Sequence, residues 1–250
     1  MSMSTGLLAA GGCPQGPPVQ SALELRAPVP DEPTPRAPDS QPEPSALARQ
    51  MHEQLALVTA IQQATVRGDL PEAQTHAQAL TEQLRATIDD ADAPESWRPH
   101  LNAIDGELEA LQHADDLRAA GSTVARLGLG CGRCHQAQAV TPALPELTPP
   151  ESGEGLEAAM RTHRWATDRM WEGLVGPSSD RWIRGSTMFI VLPGCDETMG
   201  AAGPEQRAQC QHAQSLARRG HVARSLEARA TIYGRLLTTC AQCHAAAKAG

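Results

Sequence analysis

Two pentapeptides, Cys131-Gly-Arg-Cys134-His135 and Cys240-Ala-Gln-Cys243-His244, concentrate the reactive side chains of this chain. Both read C-x-x-C-H, and the spacing has a chemical reason. Two thiols three residues apart can each form a thioether to one haem vinyl group, and the adjacent imidazole then stands under the iron as its axial ligand. Paired C-x-x-C elements can also hold zinc, but such ligand pairs usually lie much closer than about 100 residues apart. A thioredoxin-like dithiol belongs to a βαβ context, and no strand-like run is visible here. The pattern therefore implies two covalent haem c groups. Cys131, Cys134, Cys240 and Cys243 are their attachment points, and His135 and His244 are the proximal metal ligands.

The motifs stand 109 residues apart, and other positions recur at that offset. Met51 maps onto Met160, Gly68-Asp69 onto Pro177-Ser178, and Leu117, Arg126 and Leu127 onto Leu226, Arg235 and Leu236. No gap is needed between the methionines and the haem motifs, so the chain reads as a duplication.

The elements that must carry the motifs follow from periodicity. The first helix runs from about Ser45 to Arg67, with Leu47, Met51, Leu55, Val58, Ile61 and Val66 on its apolar face. The second starts after Asp69, with Pro71 and Glu72 early, as expected at an N-terminus. The third carries Leu101, Ile104, Leu108 and Leu111. The fourth runs from about Asp116 into the motif; Val124, Leu127, Cys131 and Cys134 share a face, which directs the thiols inward. The second half repeats the plan over about 155–175, 178–192, 204–219 and 221–247, with Tyr233, Leu236, Cys240 and Cys243 in the same phase. The expected fold is all-α: two tandem antiparallel four-helix bundles, residues 45–139 and 154–250, each with one covalent haem c. A Pro-rich linker, residues 140–153, joins them.

Composition agrees with a cofactor-filled core. The chain has four Trp, one Tyr and one Phe, and no Phe or Tyr before residue 189. A small domain built mainly on Ala and Leu has a thin core, and a porphyrin in each half would supply apolar bulk. Of seven cysteines, the motifs use four. Cys195 and Cys210 flank a Gly/Pro-containing loop; they read as a disulfide in an oxidising compartment, worth ~3 kcal/mol in the chain-entropy model, or as two unpaired thiols. Cys13 ends Leu7-Leu8-Ala9-Ala10-Gly11-Gly12-Cys13, which resembles the lipobox of a bacterial lipoprotein signal. Ala10 stands where an aliphatic residue is more usual, and no Lys or Arg precedes it. Residues 14–44 hold ten prolines and read as an extended spacer, so 1–44 would form a lipidated remnant and disordered tether. No run of 18 apolar residues suggests a spanning helix. The net charge of −8 argues against nucleic acid as a partner and favours a basic docking surface on a redox protein.

A helical bundle with C-x-x-C-H near the end of its last helix resembles the cytochrome c-prime family, and Tyr233-Gly-Arg-Leu-Leu-Thr-Thr-Cys-Ala-Gln-Cys-His244 is especially similar. The resemblance covers both halves and leaves out residues 1–44. It implies covalent haem c, His135 and His244 as proximal ligands, and a distal face formed by the first helix of each half. Some members have an apolar distal position, five-coordinate iron and affinity for small gases; in low-spin relatives a methionine on that helix fills the sixth site. Met51 and Met160 stand at equivalent places there and are the candidate distal metal ligands, although Met is also a common gap-filler of cores. His163, one turn from Met160, is a competing ligand, with Gln54 as its counterpart in the first half. Arg126 and Arg235 are candidate partners for haem propionates.

The implied function is a periplasmic dihaem electron carrier, not an enzyme, passing single electrons between donor and acceptor redox proteins, with lipidated Cys13 as its expected membrane tether. The alternative is a protein that binds or senses NO or CO at an open distal site.

Overall fold

A computed structural model describes residues 45–89, 93–191, 195 and 203–249 of the chain. The expectations for 1–44, the lipobox-like Cys13 among them, lie outside the described residues. All regular structure among those residues is helical: α1 (Ala46–Val66), α2 (Leu70–Asp89), a short 3-10 turn (Glu95–Trp97), α3 (Arg98–Gln112), α4 (Leu117–Ala137), α5 (Gly155–Val175), α6 (Ser179–Val191), α7 (Pro204–His221) and α8 (Leu226–Ala249). The protein is all-α, and these bounds fall within a few residues of the expected ones, except that α8 starts at Leu226 and not at about 221, because Ser225 caps it.

Capping explains the boundaries. Ser45 Oγ accepts from Ala48 N at 3.1 Å and opens α1. Gly68, at φ +70°, closes it, and the N–H groups of Gly68 and Asp69 return to the carbonyls of Thr65 and Ala64. The caps recur at the repeat offset. Asp69 accepts from Glu72 N at 3.1 Å, and its equivalent Ser178 accepts from Arg181 N at 3.3 Å. Asp116 accepts from Ala119 N at 2.7 Å, and its equivalent Ser225 accepts from Ala228 N at 3.2 Å. Short polar side chains thus start matching helices in both halves by satisfying orphan N–H groups.

Consecutive helices pack as α1–α2–α3–α4 and α5–α6–α7–α8, and the motif helices α4 and α8 make the most extensive contact of all, across the halves. One apolar cluster runs through both, from Val58 and Ile61 on α1 to Leu236 and Leu237 on α8. The helices approach closely where α4 crosses α8. A Cβ on Gly234 would stand 3.2 Å from Cβ of Ala125, its repeat equivalent, and one on Gly121 would stand 2.7 Å from Thr238 Oγ1. Repeat-related positions meeting in this way mark a local two-fold axis at the crossing. The scarce aromatics gather beside it: Trp171 stacks on Tyr233 at 5.7 Å between centroids, and Trp182 packs obliquely at 6.4 Å.

The linker has no regular structure over 140–150 but is pinned to the second half. Arg181 donates to the carbonyls of Leu144 at 2.9 Å and Pro145 at 3.0 Å, and Trp165 Nε1 donates to Leu147 O at 3.2 Å. Arg181 also pairs with Glu146 at 3.0 Å and with Glu172 at 2.5 Å, while buried Arg169 pairs with the other oxygen of Glu172. The linker is outside any helix, so its carbonyls are free of helix bonds; Arg181 takes those of Leu144 and Pro145, and Arg169 reaches Pro145 O at 3.5 Å.

Candidate functional site

The second motif opens onto a cavity of about 250 Å³. From α8 come Cys240, Cys243 and His244; from α5, Met160 and His163; from α6, Phe189; from the end of α1, Val66 and the following Arg67. The i, i+3 spacing of the thiols places them one helical turn apart on the lining face. The same spacing puts Met160 and His163 together on α5, so both candidate distal side chains line the cavity that His244 lines. His163 stacks on Phe189 with centroids 5.1 Å apart, and burial, reinforced by His244, pushes its pKa down to about 4. Asp168, also on the wall, is pushed up to about 6, chiefly by burial, against the pull of Arg164. Cys210 closes another side of the cavity and is disulfide-bonded to Cys195, the pairing expected from the sequence.

Both motif histidines use the same ring nitrogen in the same way. His244 Nδ1 lies 2.6 Å from Val66 O, and His135 Nδ1 lies 2.8 Å from Val175 O. A carbonyl can only accept, so each Nδ1 carries a proton, and in the neutral ring Nε2 then has the lone pair. This is the arrangement that metal-bound histidines generally show, with the second nitrogen donating to a carbonyl or carboxylate.

The four motif cysteines are outside any disulfide and half-buried. Desolvation, with the neighbouring thiol of the same motif adding to it, pushes Cys131 and Cys240 up to about 12, and burial raises Cys134 and Cys243 as well. Burial thus disfavours the thiolate at all four positions. Among the described residues, no group of three or more His, Cys, Asp or Glu side chains is gathered to hold a metal ion. The two C-x-x-C pairs thus do not converge on one zinc centre. The donor set does fit haem c: two unoxidised thiols one turn apart, followed by an imidazole whose Nε2 is left to bind.

In the first half, Cys131, Cys134 and His135 stand near the end of α4, and Met51 is half-buried on α1. Arg126, a candidate propionate partner, is instead engaged with Glu107 at 2.9 Å. Arg235 is exposed. The sequence reading missed Val66, Val175 and Phe189. Phe189 is the chain's one Phe and falls near the end of α6, a signal that an aromatic wall residue was available. The two valines carry no sequence signal, because their backbone carbonyls take part, not their side chains. No helix among the described residues is long and apolar enough to cross a membrane. Comparison of the chain with protein-family models, with curated proteins and with solved structures finds no match in any of the three.

Proposed function

We propose that the protein is a dihaem c-type cytochrome of cytochrome c-prime-like architecture, two four-helix bundles in tandem, that carries single electrons between redox proteins in the bacterial periplasm. One observation carries the reading: His244, with Nδ1 committed to Val66 O and Nε2 left to bind, lines one cavity with two unoxidised thiols and Met160. Bound haem would supply reversible one-electron cycling of its iron. Cys240 and Cys243 would hold it on α8 and Cys131 and Cys134 on α4, with His135, His244, Met160 and Met51 as the side chains that would bind its iron; histidine and thioether donors together would raise the potential and suit electron transfer. Phe189 and the apolar wall limit water access; Arg67 and Arg164 also line the cavity, paired there with Glu72 and Asp168. The net charge of −8 favours donors and acceptors with basic docking surfaces, reached by electrostatic steering. Cys13 would be lipidated and the following proline-rich tract would act as tether.

Optical and EPR spectra of the exported protein test this. The alkaline pyridine spectrum should show two haem c per chain, and the ferric protein should be low-spin with a methionine-to-iron charge-transfer band. High-spin ferric iron at both sites, with rapid NO or CO binding after reduction, would replace the electron-carrier reading with gas binding. A His/His signature at one haem would put His163 in place of Met160.

A further inference from the structure

The motif histidines are anchored across the duplication. His135 belongs to the first half, yet its acceptor Val175 ends α5 of the second; His244 belongs to the second half, yet its acceptor Val66 ends α1 of the first. Both histidines and both valines are separated by the repeat offset, so one interaction occurs twice about the local two-fold axis. Val66 and Val175 are the last residues of 21-residue helices. Their carbonyls have no partner within the helix and stand at the negative end of its dipole, which makes them strong acceptors.

The approach is built into the backbone. A Cβ on Gly132, in the turn before His135, would collide with the carbonyl oxygen of Leu174, adjacent to Val175. At the other approach a Cβ on Gly68 would meet Ala241 O at 2.8 Å, and Ala241 is the repeat counterpart of Gly132. A glycine thus sits at each approach, Gly132 within α4 and Gly68 in the turn after α1. Helix α5 also links the two sites physically: Met160 and His163 line the second cavity, while Val175, about 22 Å further along at the helical rise, meets His135.

We propose that Val66 and Val175 are positioning residues for the opposite half's haem: each carbonyl orients the other half's proximal histidine and sets the donor strength of its Nε2, so that neither haem site is complete without the other half. The inference rests on the haem reading above. A strong Nδ1–H···O=C bond makes the imidazole a better donor, stabilises ferric iron and lowers the potential of that haem.

The test is Gly132→Ala in the full-length haem-loaded protein, with Gly106→Ala as control, since a Cβ there meets nothing within 4 Å. A redox titration followed by EPR, which separates the two haems, should show the potential of the Cys131/Cys134 haem shifted upward and the other unchanged. Gly68→Ala should shift the Cys240/Cys243 haem instead. Unchanged potentials in both variants, or equal shifts at both haems in each, overturn the proposal. If Gly132→Ala does not fold, NMR of the unsubstituted protein decides: the Nδ1 protons of His135 and His244 should exchange slowly with solvent, and fast exchange at both overturns the inference. Absence of haem c from the pyridine spectrum would remove the haem reading and this inference together; two attached haems with unmoved potentials would remove this inference alone.

Discussion

Tyr233 holds the first helix of one half to the motif helix of the other through a single hydroxyl, and removing that hydroxyl has a calculable cost. Tyr233 is fully buried; its oxygen accepts from Gln62 Nε2 at 3.0 Å and donates to Thr167 O at 3.1 Å. In Tyr233→Phe the ring and its stack on Trp171 remain, but Gln62, 1% exposed, keeps a buried amide donor with no acceptor. An unsatisfied buried donor costs about 1–3 kcal/mol, whereas Thr167 O retains its helix bond and loses little. The expected destabilisation is ~2 kcal/mol, or roughly 4–8 °C in Tm for a chain of this size. Gln62→Leu removes that donor along with an Oε1 that has no partner of its own, so it should cost less. Once the leucine is present, Tyr233→Phe should cost little more, because exchanging both members of a buried pair for apolar groups is nearly neutral. The assay is urea unfolding followed by circular dichroism on the four proteins of this cycle, all in the same haem-loading state, since a bound group shifts apparent stability. The reasoning fails if Tyr233→Phe lies within about 0.5 kcal/mol of the parent, or if the two substitutions are additive within that margin.

Two further outcomes follow from the charged groups. Arg181→Ala removes the donor that pins Leu144 and Pro145 and leaves Glu172, 10% exposed, with Arg169 alone; loss of about 3 kcal/mol and new proteolytic cleavage within 141–150 are expected, and an unaltered digestion pattern would contradict the pinning. The pH response of the haem-free chain should reflect His163 and Asp168 pulling in opposite directions. The folded pKa of His163 is lowered to about 4, so its contribution is lost as pH falls from the unfolded value of 6.5 toward 4. The folded pKa of Asp168 is raised to about 6, so its contribution grows as pH falls from 6 toward the unfolded value of 3.8. Each amounts to ~3 kcal/mol, and they largely offset each other. Asp168→Asn should therefore become more acid-labile than the parent between pH 6 and 4, read from urea midpoints; parallel pH curves for the two proteins would count against the Asp168 shift.

Much of the helix layout is legible because its signals are local. Apolar residues at 3.6-residue spacing, Ser45, Asp69, Asp116, Ser178 and Ser225 at N-caps and Gly68 at a C-terminus act within one turn, so their effect needs no knowledge of distant chain. The motifs leave Cys13, Cys195 and Cys210, and the short loop between the last two made their disulfide one of two readings, which packing decided. The candidate distal residues were half legible. The offset selects Met51 and Met160, but that Met160 and His163 share a cavity with His244 depends on how α5 packs beside α8. Arg126 recurs at the repeat offset with Arg235, yet Glu107 from α3 takes it, a pairing set by the packing of α3 on α4.

By itself, then, the sequence determined the helical elements, their duplication, and the two C-x-x-C-H motifs with a histidine beside each pair of thiols. Tertiary structure alone decided how the two halves meet: α4 crosses α8 at Ala125 and Gly234, and Val66 and Val175 reach the opposite histidines. The physical reason is that the acceptors are backbone carbonyls at helix ends. Every helix has such groups, whatever its residues, and only packing chooses which of them a histidine meets.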